Sequence, residues 1–204
     1  KHVLCRDERH AAYAADAYSR VTGKLGVVEV PSGGGALYVV PGLSEANVSN
    51  IPLLCIASEI SMGSEETYAL TDCNQEKLFS AVTRWNGKVK AVKLLPHFLR
   101  KAVRISCSGG GGATALTVPE NILRASFDGN KEDLYPAAGM HGFSSLKNEP
   151  CKYDIEKFIE LLQEAERPLV LAGGGVHLSG AYDKLAYFVQ KYQLPIITSV
   201  DGKG

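Results

Sequence analysis

Short apolar runs, separated by stretches long enough to be amphipathic helices, recur along this chain and restrict the folds open to it. Gly26 to Val30, "IPLLCIAS" from Ile51, "TALTV" ending before Pro119, "RPLVLA" from Arg167 and "PIITS" from Pro195 each have the length of a buried strand. Helical spacing fills the gaps: Arg9 to Thr22, Ala36 to about Val48, Pro96 to Ser106, Asp154 to Glu166 and Ala181 to Tyr192. Parallel neighbours need a crossover, usually helical, so the alternation predicts an α/β fold with a parallel sheet flanked by helices on both faces.

Two further runs read as strands, Val3 to Cys5 and Ala81 to Val89. In the first helix Ala11, Ala12, Ala15 and Tyr18 share a face, and Gly23 ends the helix with Lys24 just beyond. Asp154 is the expected N-cap of its helix, with Ile155, Phe158, Ile159 and Leu162 as the apolar stripe. Glu59 to Phe79 is polar and too long for a plain connector, which marks a functional loop or lid. From Asn121 to Cys151 the chain reads as a linker with its boundary between Asp128 and Lys131. That gives two domains, 1–130 and 131–204. The second has two strands, too few to close a doubly wound sheet, so it is expected to be incomplete.

Composition narrows the function classes. Lys plus Arg equals Asp plus Glu at 22 each, so no bulk field points to nucleic acid or an anionic membrane, and a small-molecule partner is the default. Five cysteines without a C-x-x-C fit neither a disulfide scaffold nor a zinc site and point to a reducing, cytoplasmic compartment. The histidines lack metal spacing, no apolar run reaches membrane-spanning length, and the start, "KHVLCRDER", is neither a signal peptide nor a methionine start. The chain reads as a fragment.

Glu8 stands where a strand gives way to a helix, and the carboxyl ends of strands line the ligand crevice of open parallel sheets. Hemmed by Val3, Leu4, Ala11 and Ala12, it is expected to be a desolvated, proton-handling carboxylate; the competing reading is a first-turn acid placed by the helix dipole, like Asp7. The run "PSGGGA", with Gly33, Gly34 and Gly35, lets the backbone approach a flat ring or a phosphate. In "AGGGVHLSG" the turn Gly173, Gly174, Gly175 departs from a dinucleotide fingerprint at Leu178, which favours a structural turn. Gln75 and Glu76 lie in the long polar span, where a neutral amide could hold a substrate carbonyl or carboxylate. Ser32 lacks the context of a nucleophile elbow.

Together "RDERHAAYAADAYSRVTGKLGV", "PSGGGALYVVPGLSEANVSNIPLL", "TDCNQEKLFSAVTRWNGKV", "GGATALTVPENIL" and the stretch from Arg167 to Gly204 resemble the thiamine-diphosphate enzymes of the acetolactate synthase and pyruvate oxidase type, over nearly the whole chain. The resemblance implies a pyrimidine-binding domain lacking its first strand and helix, then the start of a central, partly Rossmann-like domain. It implies that Glu8 hydrogen-bonds the cofactor's aminopyrimidine and promotes the imino tautomer that deprotonates the thiazolium carbon. Gly33, Gly34, Gly35 and Tyr38 would lie near the pyrimidine, Gln75 near a 2-keto acid substrate, and Gly173 to Gly175 at a turn that touches flavin (FAD) in some members. Where this chain has Gly34 and Tyr38 the family commonly has proline and asparagine, and His10 replaces a smaller residue. The family's diphosphate- and Mg2+-binding domain is outside these residues, so the resemblance implies an inactive piece of a dimeric or tetrameric decarboxylase or carboligase. A non-catalytic nucleotide- or metabolite-binding module is the alternative; a complete nicotinamide-dependent dehydrogenase is set aside on the broken fingerprint.

Overall fold

Glycine and alanine set how closely the first helix approaches its neighbours. The computed structural model describes residues 2–129 and 149–203, and the chain divides into two units, Lys1–Leu146 and Lys147–Gly204. The predicted boundary between Asp128 and Lys131, and most of the linker around it, reach beyond the described residues. Helix α1 (Glu8–Thr22) starts on Asp7, whose carboxylate accepts from the Arg9 backbone N–H at 2.8 Å, and stops at Gly23 in the left-handed conformation (φ 66°). A Cβ on Gly26 would sit 2.2 Å from the Ala15 carbonyl oxygen, and one on Gly42 2.4 Å from the Ala12 Cβ. Strand β1 (Gly26–Val30) and the helix that carries Gly42 therefore lie against the first helix at backbone distance, which the alanines of α1 permit.

The buried face of α1 is Ala12, Ala15, Asp16 and Ser19. Tyr18, expected on it, is 48 % exposed. The stripe is turned because Ser19 is the better neighbour here: its hydroxyl donates to the Pro52 carbonyl at 2.8 Å. The helix predicted from Ala36 begins earlier and in two pieces, α2 (Gly34–Tyr38) and α3 (Val40–Val48). Pro41 brings no N–H to the Leu37 carbonyl, which breaks the ladder at Val39.

Strands β2 (Leu53–Glu59), β3 (Trp85–Lys88) and β4 (Ala113–Pro119) complete a four-stranded, all-parallel sheet in the order β1-β2-β4-β3. Gly26 lies opposite Leu53, Leu53 opposite Ala113 and Trp85 opposite Thr114. The crossovers carry α4 (Gln75–Ser80) and α5 (Leu95–Cys107), and α6 (Glu120–Leu123) follows β4. Successive side chains alternate faces. Leu54, Leu116 and Val118 join Ala102, Val103 and Cys107 of α5 in one core; Leu53, Cys55 and Ala57 are buried on the other face. Burial pushes the Cys55 thiol up to about 12 and the Cys107 thiol to about 11, so both behave as apolar core groups.

Two predicted strands change. Val3 to Cys5 forms none: Val3 and Leu4 are 72 % and 89 % exposed, and β1 is left as an edge strand whose ladder runs to β2 alone. The run Ala81 to Val89 yields only Trp85–Lys88, since its start winds out of α4, with the Val82 N–H and Thr83 hydroxyl both donating to the Phe79 carbonyl.

In the second unit α7 (Lys152–Glu164) precedes β5 (Val170–Ala172), α8 (Gly175–Ser179), α9 (Tyr182–Lys191) and β6 (Ile196–Thr198), with β5 and β6 parallel. Cys151 and not Asp154 caps α7: its Sγ accepts the Asp154 N–H at 3.4 Å, leaving Asp154 inside the first turn. Ile155, Phe158 and Ile159 stay roughly half-exposed, and Ala172 is the one fully buried apolar residue among those described in this unit. Among the described residues no helix is long and apolar enough to cross a membrane.

Candidate functional site

Glu8 is the first residue of α1 and points at the turn that follows β1. Its Oε1 lies 3.3 Å from the position a Cβ on Gly35 would take, so the carboxylate faces the glycine turn across the start of the first crossover. It is half-buried, not enclosed as expected, because the exposed Val3 and Leu4 do not cover it.

The three glycines do different work. Gly33 has φ 65° and its missing Cβ would meet Thr71 at 2.7 Å; Gly35 leaves room for the Pro31 ring at 2.6 Å as well as for Glu8; Gly34 has nothing within 4 Å. The turn thus combines two close approaches with open space between them. Gly34 and Gly35 are already helical, as the first residues of α2, so Gly33 alone is the bend. Ser32 bonds the Thr71 hydroxyl at 2.8 Å, tying the turn to the long polar span.

Tyr38 ends α2 with its ring half-exposed and the Arg9 guanidinium 5.6 Å from the ring centroid. Arg9 also grips Asp7 through two nitrogens, Nε at 3.0 Å from Oδ1 and Nη2 at 2.6 Å from Oδ2. That bond holds the Asp7 carboxyl well below the usual carboxylate range. Asp7, Arg9 and Tyr38 consequently fix the start of α1 beside the end of α2.

Gln75 is not a loop residue. It opens α4 and is completely buried, with Nε2 donating to the Ser58 carbonyl at 2.8 Å. A carbonyl can only accept, so the amide orientation is fixed by its neighbour. Oε1 is left buried without a protein partner, and the free atom of this side chain is an acceptor, not the donor expected for a substrate carboxylate. Glu76 occupies the first turn of the same helix.

Beside Gln75 lies an ionic cluster that sequence reasoning missed. Glu59 ends β2 and Lys88 ends β3, and they pair above β4, where Glu59 is in register with Pro119 and Lys88 with Thr117. Both side chains are under a tenth exposed. Glu65 adds a second carboxylate to Lys88 at 2.6 Å. Desolvation raises the Glu59 pKa, with Lys88 opposing it. At Lys88 desolvation is outweighed by the two carboxylates, which hold the ammonium above its usual value. A legible signal existed: each charge closes a strand run, at the end where an α/β sheet presents its site.

A cleft of about 330 Å³ opens at the carboxyl ends of β1, β2 and β4, between Glu29, Pro31, Ile56, Ser58 and Val118. It adjoins the glycine turn through Pro31. In the second unit Gly173 and Gly174 follow β5 and Gly175 starts α8; a Cβ on Gly174 would meet Asp201 at 3.2 Å, whereas Gly175 has nothing within 4 Å. Among the described residues no group of three or more His, Cys, Asp and Glu side chains could hold a metal ion.

Residues 1–78 match the family model for the thiamine pyrophosphate enzyme N-terminal TPP binding domain, and residues 155–204 match that for the central domain of the same enzymes. The chain belongs to the thiamine pyrophosphate enzymes. Among members of this family it is 30 % identical over 204 residues to a probable acetolactate synthase large subunit of Methanococcus aeolicus, covering all of this chain and 34 % of that protein. It is 31 % identical over 206 residues to the acetolactate synthase isozyme 2 large subunit of Escherichia coli strain K12, covering all of this chain and 36 % of the relative. Against the acetolactate synthase large subunit of Lactococcus lactis the figures are 25 % over 204 residues, all of this chain and 35 % of the relative. This thiamine pyrophosphate enzyme chain is therefore acetolactate synthase-like, and it spans about a third of the length of the curated relatives it matches.

Proposed function

We propose that these residues form the pyrimidine-side wall of a thiamine-diphosphate site, in a protein that decarboxylates or ligates 2-keto acids as an acetolactate synthase does. One observation carries the reading: the Glu8 carboxylate faces a glycine turn that has open space at Gly34. A carboxylate beside a bare stretch of backbone suits a flat, nitrogen-bearing ring, accepting its proton or returning it. When bound, thiamine diphosphate supplies a thiazolium carbon that, once deprotonated, is a nucleophile toward 2-keto acids.

The chain's own residues have three tasks in this reading. Glu8 holds or moves the proton at the ring nitrogen. Gly33 bends the backbone, Gly34 leaves the ring its room, and Gly35, by admitting the Pro31 ring, lets the Glu8 carboxylate sit against the turn, with Tyr38 at the far end of α2. Gln75, through its free amide oxygen, accepts a hydrogen bond from a donor on the bound molecules. In this reading Mg2+ and the diphosphate are held by residues other than those described, among which no cluster of three or more His, Cys, Asp or Glu forms that could hold a metal ion. A flavin, where the complete protein holds one, would approach Gly173 to Gly175. The complete enzyme is taken to be a cytoplasmic dimer or tetramer, and residues 1–130 and 131–204 to be its pyrimidine-binding domain and the start of its central domain.

The test is proton exchange at the thiazolium carbon of thiamine diphosphate bound to the full-length protein. Glu8→Gln should slow it about a hundredfold or more, the usual scale of a lost acid–base group. An unchanged exchange rate removes Glu8 from this role.

A further inference from the structure

Glu59 to Gln75 departs from the sheet and returns to it almost at its starting point, because the Gln75 Nε2–Ser58 carbonyl bond, at 2.8 Å, closes its neck. Loops of this length with touching ends are compact units packed by their own side chains. This one is built that way. The Ser64 N–H donates to the Ser61 carbonyl and the Thr67 hydroxyl to the Ser64 carbonyl, and the Asp72 carboxylate accepts the Glu66 N–H at 3.2 Å. Glu66, Tyr68 and Thr71 all carry positive φ, between 56° and 69°, a conformation that costs residues with a Cβ and persists only where surrounding contacts enforce it.

Those contacts come from three fastenings outside the loop, the first being the Met62 N–H, which donates to the Asn121 Oδ1 at 3.1 Å. At its near end Glu65 bonds the buried Lys88 at 2.6 Å, and Lys88 is itself held by Glu59. At its far end Thr71 packs on Gly33 and bonds Ser32 at 2.8 Å. Between them the tip is bare, with Tyr68 fully exposed and Leu70 91 % exposed. The loop therefore owes its shape to its ends.

We propose that residues 60–74 are a strap, and that Lys88 is a positioning residue which, through Glu65, holds this strap so that the glycine turn and Gln75 keep one relative geometry. The fastening stands on its own contacts; that what it positions is a cofactor and substrate site rests on the reading given above. Lys88 touches neither in this scheme and acts through the strap.

Amide hydrogen exchange on the full chain, read by mass spectrometry without added cofactor, tests it. Glu65 is 41 % exposed, so Glu65→Gln removes one charge-assisted bond without burying a new group. Exchange in residues 61–74 should rise about tenfold in this variant, while peptides of β1, β2 and β4 keep their wild-type rates; Glu65→Asp, which restores the charge, should return the strap most of the way. Unaltered exchange in residues 61–74, or a rise shared equally by the sheet, overturns the proposal. Since no cofactor enters the measurement, its failure leaves the thiamine reading standing. Unchanged thiazolium exchange in Glu8→Gln would in turn leave the strap standing.

Discussion

A lysine less than a tenth exposed survives as a cation only because carboxylates meet it, and Lys88 has two, Glu59 and Glu65. Removing one partner of a buried pair leaves the other charge uncompensated, which typically costs about 3–5 kcal/mol. Lys88→Met should cost that much in urea unfolding at pH 7, and Glu59→Gln added to it should recover most of the loss. The pH dependence has a definite sign. A carboxyl whose folded pKa is raised favours folding below its ordinary value of 4.5, and that contribution is lost as pH rises through the raised value. With Lys88 gone nothing opposes desolvation of Glu59, so the penalty of Lys88→Met should shrink as pH falls from 7 toward 4.5. In the wild type the Lys88 contribution is complete below the ordinary value of 10.5 and is lost only as pH climbs above that through its own raised value. A Lys88→Met cost below about 1 kcal/mol at pH 7 would place the pair among surface bridges.

At the level of elements, α1 matters because it carries Glu8, and its seat is set by Gly26 and Gly42. Gly42→Ala would bring a methyl within 2.4 Å of the Ala12 Cβ, so overpacking of about 1–3 kcal/mol is expected, read as a fall in thermal midpoint. Gly34 is the opposite case. It is the first residue of α2, where proline's fixed φ suits the helix and no Cβ contact lies within 4 Å. Gly34→Pro should therefore stabilise by about 0.4–1 kcal/mol, and a destabilised variant would show that the turn is not free at that position. Much of this was legible. The strands β1, β2 and β4 and the helices α1 and α5 follow from apolar runs and helical spacing, and Glu8 beside three glycines was visible as a pattern. Three things were not. The one-residue rotation of α1 depends on a hydroxyl reaching Pro52; the burial of Gln75 depends on a bond to Ser58; and the Glu59–Lys88 pair joins strands that are neighbours of β4 but not of each other. All three are long-range contacts, which local periodicity does not encode. Val3 to Cys5 failed for the same reason in reverse, since an apolar run becomes a strand only where a ladder receives it.

For the whole molecule, the contrast between the two units decides how the chain should melt. The first unit buries both faces of its central strands, with all seven residues of β4 inaccessible. The second holds one buried apolar residue among those described, a two-stranded sheet, and a stripe on α7 that stays roughly half-exposed. Folding stability comes chiefly from apolar burial set against chain entropy, and a two-stranded sheet with so little buried apolar surface seldom suffices. The 204-residue chain should therefore not unfold in one transition. Hydrogen exchange should show β1, β2 and β4 protected at the level of global unfolding, while residues 152–198 exchange orders of magnitude faster. Added thiamine diphosphate and Mg2+ should change neither pattern, since the chain offers one wall of the proposed site and, among its described residues, no cluster of three or more metal-ligating His, Cys, Asp or Glu. Isothermal titration should likewise show no tight binding. Submicromolar affinity would mean that these residues make a complete cofactor site by themselves, and the half-site reading would have to be abandoned. Uniform protection across both units would mean that α7 and α9 bury their apolar faces in solution.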